Sequence, residues 1–178
     1  ILNKIIEPSL KGLQELNTSF KGFLDAGLMI VKDEPFLIEY NVRMGDPECQ
    51  TILPKLKTDF IDIVESCVNY NLESLKINWY QEETICIVLC SKGYPDQYEN
   101  NSEINNLNKI NLNENEFIFH AGTKSYKSKI FSNGGRVLNF VIRSKDLKQA
   151  RDRAIELIYQ LNWSNGFFRK DIGFKVIK

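Results

Sequence analysis

Two extended runs on either side of a four-residue turn constrain this chain most. FKGFLDAGLMIV at 20–31 and FLIEYNV at 36–42 flank Lys32–Pro35 (KDEP). Such a pattern closes as an antiparallel hairpin, because a parallel partner would need a long crossover. Alternate strand residues share a face. Glu39, Asn41 and Arg43 are therefore expected to project together, roughly 6.6 Å apart along the strand. Ile38 and Tyr40 are expected to point the other way, into packing. A Gly45-Asp46-Pro47-Glu48 turn then brings two more carboxylates to the same strand end, before a short helix that stops at Pro54.

Around this hairpin the first 80 residues read as helical. Ile5, Ile6, Leu10, Leu13 and Leu16 make one stripe over 1–16, with Pro8 starting or kinking the helix. Thr58 is the expected N-cap of a helix over 59–70, whose inner side is Phe60, Ile61, Val64, Cys67 and Val68. Residues 71–82 read as a connection, and a domain boundary is expected near 80. The remainder reads mostly as strand: 83–91, 116–123, 125–132 and 136–143. The SNGG segment at 132–135 is expected to turn a hairpin, and RVLNFVIR at 136–143 to alternate away from it. The Asn-rich run 99–116 carries Ile104, Leu107, Ile110 and Leu112, so it is expected to be ordered but exposed. Ser144 is the expected cap of a helix over 145–161 with a regular apolar stripe.

Composition excludes several functions. Of 178 residues, 23 are Lys or Arg and 23 are Asp or Glu. That zero balance offers nothing to a nucleic-acid backbone or an anionic membrane surface. No apolar run approaches the roughly 20 residues that span a bilayer. Cys49, Cys67, Cys86 and Cys90 form no C-x-x-C pair, and His120 is the single histidine. Free thiols in a reducing cytosol are expected, not a zinc site. His120, alone on a strand, reads as a hydrogen-bonded structural residue. Arg169, Lys170 and Asp171 read as a strut packing the tail. No Ser-His-Asp or Cys-His constellation and no G-x-x-x-x-G-K loop is present.

Glu39, Asn41 and Arg43 suit one chemistry in particular. Mg²⁺ prefers oxygen ligands and takes one or two carboxylates plus substrate phosphates. Glu39 and the Asn41 amide oxygen match that set, and the Arg43 guanidinium matches a phosphate or carboxylate. On spacing alone, a solvated surface strand is an equal reading.

GLMI at 27–30, IEYNVRMGDPECQ at 38–50 and LP at 53–54 resemble the end of the ATP-grasp domain of the phosphoribosylamine–glycine ligase (glycinamide ribonucleotide synthetase) family. The resemblance continues through SKGYP at 91–95, FHAGT at 119–123, NGGRVL at 133–138 and FFRKDIG at 167–173, in the family's order. It implies an α+β chain. Residues 1–80 would be the C-terminal part of an ATP-grasp domain, antiparallel strands with helices. Residues 81–178 would be a small open β-barrel-like domain with a flanking helix.

The resemblance further implies a cytoplasmic ATP-dependent ligase of purine biosynthesis, acting on glycine, phosphoribosylamine and ATP through a glycyl phosphate. It implies Mg²⁺, with Mn²⁺ the alternative, on Glu39 and Asn41. It implies substrate contacts from Arg43, Asp46 and Glu48. Met29 or Ile38 would lie against adenine, and Gly134, Gly135 and Arg136 would meet a substrate anion. The facing strand offers Leu28 or Met29 opposite Glu39, so no further carboxylate is expected there. The glycine-rich nucleotide loop and the phosphoribosylamine domain of the family have no counterpart in the sequence. The chain is therefore expected to be the C-terminal portion of a longer enzyme whose N-terminal portion is its partner. Another ATP-grasp ligase or carboxylase, or a stand-alone binding module, is the alternative.

Overall fold

The computed structural model describes residues 1–177. It divides the chain into two compact units, one of residues 1–46 with 58–78 and one of residues 47–57 with 79–178. The break near 80 thus falls at 78/79, and the segment 47–57 goes with the second unit, not the first.

In the first unit a π-helical turn, Leu2–Ile6, runs into helix α1 (Glu7–Glu15), with Pro8 in the first turn of α1, just past the junction. Ile5 is buried, whereas Leu16 lies past the helix end and is exposed. Strand β1 covers Asp25–Val31 and β2 covers Glu34–Asn41. The expected strand start at Phe20 is corrected: Phe23 leaves the extended run to stack on Phe60, ring centroids 5.5 Å apart. The turn is the two residues Lys32 and Asp33, both at positive φ. Such a turn matches the twist of a tight hairpin.

Helix α3 (Phe60–Val68) is capped by Asp59, whose carboxylate accepts from the Ile61 N–H at 2.8 Å. Thr58 does something else. Its hydroxyl accepts from the Asn78 N–H at 2.7 Å and ties the two ends of segment 58–78 together. Ile61 and Val68, expected on the inner side of α3, are exposed.

The second unit holds helix α2 (Glu48–Ile52) and strand β3 (Glu83–Ser91), then β4 (Glu103–Ile104), β5 (Glu116–His120), β6 (Thr123–Tyr126), β7 (Lys129–Ser132) and β8 (Arg136–Ser144). Helix α4 (Leu147–Gln160) and strand β9 (Gly166–Phe167) complete it. Four strands form one antiparallel sheet, β5-β8-β3-β9, and three form another, β4-β7-β6. Residues 125–132 are thus a hairpin, not one strand.

The stretch 136–143 does not alternate. Val137, Leu138, Phe140 and Val141 are all 0% exposed, because β8 is the central strand between β3 and β5 and both α2 and α4 pack against it and β3. A strand covered on both faces reads as a continuous apolar run. Helix α4 adds Ala150, Ala154, Leu157 and Ile158 to this core, and it is capped by Asp146, which accepts from the Gln149 N–H at 2.7 Å, rather than by Ser144. The Asn-rich run is ordered. Ile104 is buried, the Trp163 indole donates to Ser102 at 2.9 Å, and Asn105 bridges Asn162.

One ion pair fastens β5 to α4. Arg153 grips Glu116 with both a 2.7 Å and a 3.2 Å hydrogen bond, and Asn113 donates twice more to the same carboxylate. Burial alone would raise the Glu116 pKa, but the hydrogen bonds from Arg153 and Asn113 outweigh it and hold it below the ordinary 4.5. A depressed carboxylate stabilises the fold fully above the unfolded value and less as pH falls through the folded one. Glu116→Gln is therefore expected to lose roughly 1.5–3 kcal/mol at neutral pH, the scale of hydrogen bonds to a charged group. Urea melts of variant and parent should converge as pH drops below 4.5; a pH-independent gap would show that ionisation plays no part.

Candidate functional site: the hairpin face and the Arg136 cavity

The tight turn sets the hairpin register. Val31 faces Glu34, Met29 faces Phe36 and Leu28 faces Leu37. A bulge then shifts the ladder by one, so that Gly27 faces Glu39, Ala26 faces Tyr40 and Asp25 faces Asn41. Facing residues of an antiparallel pair lie on one side of it. Asp25, Glu39 and Asn41 therefore share a face, with Gly27 between them. The Asn41 amide N–H donates to Glu39 Oε1 at 3.1 Å and reaches Asp25 Oδ2 at 3.5 Å.

This corrects the sequence reading, which placed Leu28 or Met29 opposite Glu39 and so found no further carboxylate. It assumed a four-residue turn and an unbroken ladder. The turn is two residues shorter, and the bulge moves Glu39 one position further along β1. Met29 and Phe36, two residues along β1 from Gly27, belong to the same face and are 53% and 56% exposed. Phe36 was missed for the same reason as Asp25.

Tyr40 does point into packing, its hydroxyl meeting Ser9 at 2.7 Å and the Ile5 carbonyl at 3.2 Å. Ile38 does not. It is the extra residue of the bulge and is 63% exposed. Arg43 does not continue the Glu39–Asn41 row either: β2 ends at Asn41, and the Arg43 guanidinium turns back onto the Met44 carbonyl at 3.0 Å. Asp46 is the exposed last residue of the first unit's opening segment, and Glu48 sits exposed in the first turn of α2, in the second unit.

Among the described residues no group of three or more His, Cys, Asp or Glu side chains is arranged to hold a metal. The residues expected to hold a cation on the hairpin are the Glu39 carboxylate and the Asn41 amide. That donor set, all oxygen once the amide turns over, fits a hard divalent ion. Oxygen and nitrogen of an amide are nearly isosteric, so the turn needs no change of shape.

In the second unit, Ser132–Gly135 is not a hairpin. β7 and β8 belong to different sheets, and the segment crosses between them. Its glycines do not serve positive φ: among the described glycines, positive φ occurs at Gly22, Gly93 and Gly173. They serve close approach. A Cβ on Gly135 would stand 2.1 Å from Tyr94 Cδ2, and one on Gly134 would stand 3.1 Å from the Gly122 Cα. Their carbonyls are taken by Ser91, whose hydroxyl bonds Gly134 O and whose N–H bonds Gly135 O, each at 2.8 Å.

Arg136 follows, half-buried, at a cavity of about 320 Å³ that Cys90, Tyr94, Phe167, Phe168 and Ile172 also line. Burial pushes the Cys90 thiol up, and the Arg136 charge opposes that shift. Arg169 and Asp171 are a bidentate pair at 3.0 and 2.7 Å, but it is exposed. The strut is Phe168 and Ile172 instead, which pack on the core, with Phe168 edge-on to Tyr159 at 5.9 Å. The exposed His120 imidazole is engaged with the Thr123 hydroxyl at 2.8 Å.

Comparison with known proteins gives the class first. Residues 1–49 match the model of the phosphoribosylglycinamide synthetase ATP-grasp (A) domain, so the hairpin is of ATP-grasp type. Residues 84–175 match the phosphoribosylglycinamide synthetase C domain, and the chain belongs to the phosphoribosylglycinamide synthetase family.

Among curated relatives, the phosphoribosylamine–glycine ligase of Fusobacterium nucleatum is 38% identical over 97% of this chain and 41% of its own length. The chloroplastic phosphoribosylamine–glycine ligase of Arabidopsis thaliana is 38% identical over 100% of the chain and 34% of its own. The crystal structure of phosphoribosylamine–glycine ligase from Thermotoga maritima superposes with a TM-score of 0.76 at 30% identity, over 96% of this chain and 41% of that one. The chain spans about two fifths of the length of these curated relatives. The fold is α+β with antiparallel sheets, as the sequence led one to expect. No helix among the described residues is long and apolar enough to cross a membrane.

Proposed function

We propose that this chain is the C-terminal portion of a cytoplasmic ligase that joins glycine to 5-phosphoribosylamine, giving N1-(5-phosphoribosyl)glycinamide while ATP becomes ADP and phosphate. The observation that carries this is the match of residues 1–49 and 84–175, in order, to the two domains of one ligase family. Residues 1–80, apart from the segment 47–57 that packs with the second unit, close the ATP-grasp domain, and 81–178 form the C-terminal domain. The partner is the remaining portion of the same enzyme.

A glycine carboxylate oxygen attacks the γ-phosphorus and ADP leaves. The amine of phosphoribosylamine then attacks the glycyl carbonyl carbon, releases phosphate and loses a proton. No side-chain nucleophile is needed, so catalysis is positioning and charge neutralisation. Glu39 and Asn41 supply oxygens for a divalent cation, Mg²⁺ first and Mn²⁺ second, which would neutralise charge on the phosphates. Met29 and Ile38, with Phe36, offer exposed apolar surface to adenine. Arg43 leaves the Met44 carbonyl to meet a substrate oxygen, and Asp46 and Glu48 frame the loop that recognises the substrates. Gly134, Gly135 and Arg136 bring one half-buried guanidinium to a substrate anion at the second unit's cavity.

This reading gives the chain only part of a nucleotide cleft. With ATP, Mg²⁺, glycine and phosphoribosylamine, the complete protein is expected to form phosphoribosylglycinamide, and the 178-residue chain alone to form none. Product from the isolated chain would refute the shared cleft; no product from the complete protein would refute the ligase.

A further inference from the structure

We propose that the cavity beside Trp79 and Tyr80 binds a nucleoside monophosphate, its base on the Trp79 indole and its phosphate between Lys57 and Lys145. The cavity measures about 420 Å³ and lies wholly within the second unit, with Gln81 and Glu82 completing its lining. That volume falls in the range of small-molecule sites. None of these residues carries the ligase chemistry above, so the proposal stands apart from that reading. The surroundings are held by the fold. Trp79 bridges Leu56 in an antiparallel pair, and the Tyr80 N–H donates to the Lys55 carbonyl at 2.9 Å. Arg143 lies over the Tyr80 ring, its Cζ 3.6 Å from the ring centroid. Its guanidinium is tied in turn to the Pro54 carbonyl at 2.6 Å and to the Asn115 side chain. The Tyr80 ring and the Trp79 backbone therefore stand in place without a ligand.

The chemistry of the lining selects the occupant. Trp79 is 43% exposed, whereas the other tryptophan, Trp163, is buried. An accessible indole is a stacking surface for any base. Lys57, 5.9 Å from the Tyr80 ring centroid, and Lys145 are both exposed. Among the described residues neither enters an ion pair or a side-chain hydrogen bond. Two ammonium groups on one cavity suit a doubly charged phosphate, which lysine meets as a point charge. Glu82 limits that charge: its carboxylate lines the same cavity and repels the further phosphates of a di- or triphosphate. The Gln81 amide offers a donor and an acceptor to a base edge. A nucleic acid is the poorer occupant, because 23 basic residues balanced by 23 acidic ones leave no basic track for its backbone.

The test is titration of the 178-residue chain with AMP, without divalent metal, followed by tryptophan fluorescence and by calorimetry, with circular dichroism on each variant. AMP is expected to quench the exposed Trp79. Adenosine, which lacks the phosphate, and ribose 5-phosphate, which lacks the base, are each expected to bind about tenfold more weakly, the value of one stacked base or one charged contact. ATP is expected to bind more weakly than AMP, and Glu82→Gln to narrow that difference. Trp79→Leu is expected to remove the quench and to lower the calorimetric affinity about tenfold. Lys57→Gln and Lys145→Gln, on exposed side chains that leave the fold intact, should each weaken AMP several-fold, while Lys129→Gln on β7 leaves it unchanged. No binding of AMP at millimolar concentration would overturn the proposal. So would ribose 5-phosphate or ATP binding as tightly as AMP, or an unchanged affinity in both lysine variants.

Discussion

In the complete protein, Glu39→Gln is expected to lower the proposed ligase turnover by a factor on the order of a hundred or more at saturating Mg²⁺, while the protein melts normally. A hundredfold corresponds to about 2.7 kcal/mol of transition-state stabilisation, within the several kcal/mol that a phosphate-bound metal supplies. The stability expectation has its own cause. Glu39 is exposed, and its carboxylate accepts a hydrogen bond from Asn41, two residues on. Exposed substitutions of this sort leave folding within about 0.5 kcal/mol. Asn41→Ala should follow Glu39→Gln in turnover. Because it also removes the group between the two carboxylates, it should cost more stability than Glu39→Gln does. Near-normal turnover of Glu39→Gln would mean that the nucleotide's metal is held elsewhere.

The second large effect separates packing from binding at the crossover between β7 and β8. Gly135→Val puts a branched side chain where the Tyr94 ring already lies, 2.1 Å from the new Cβ. Overpacking of this kind costs about 1–3 kcal/mol. The melting temperature should fall whether or not substrate binds nearby. Arg136→Ala asks the other question. If its guanidinium meets a substrate anion, one apparent KM should rise about ten- to a hundredfold, the value of a charge-assisted hydrogen bond. The melting temperature should move much less than in Gly135→Val. Normal kinetics in Arg136→Ala would leave the glycines with a packing role and remove the cavity from the substrate path.

Much of the architecture was legible because local pattern and tertiary demand agree. The hairpin, the β-branched run at 83–91 and the stripe of α4 each carry a period that only one element satisfies. What failed to show was whatever depends on counting across space. The bulge in β2 leaves no mark in the sequence, yet it decides whether Asp25 faces Asn41 or Tyr40. Caps misled for a related reason. Thr58 and Asp59 are equally good capping types, and the Thr58 hydroxyl is drawn away by Asn78, twenty residues on. SNGG looked like a turn because glycine pairs usually supply positive φ. Here they are thin places where a ring and a neighbouring backbone come close, and that partner is known only once the fold is. The same holds for 136–143, whose burial on both faces follows from its central place in the sheet.

The most direct test of the proposed chemistry follows oxygen. Glycine labelled with ¹⁸O in its carboxylate is supplied to the complete protein with ATP, Mg²⁺ and phosphoribosylamine. Attack of that carboxylate on the γ-phosphorus, followed by displacement at the carbonyl carbon, moves one labelled oxygen into each phosphate released. Phosphate carrying one ¹⁸O per product formed is the predicted result. Unlabelled phosphate, formed in step with product, would contradict the account.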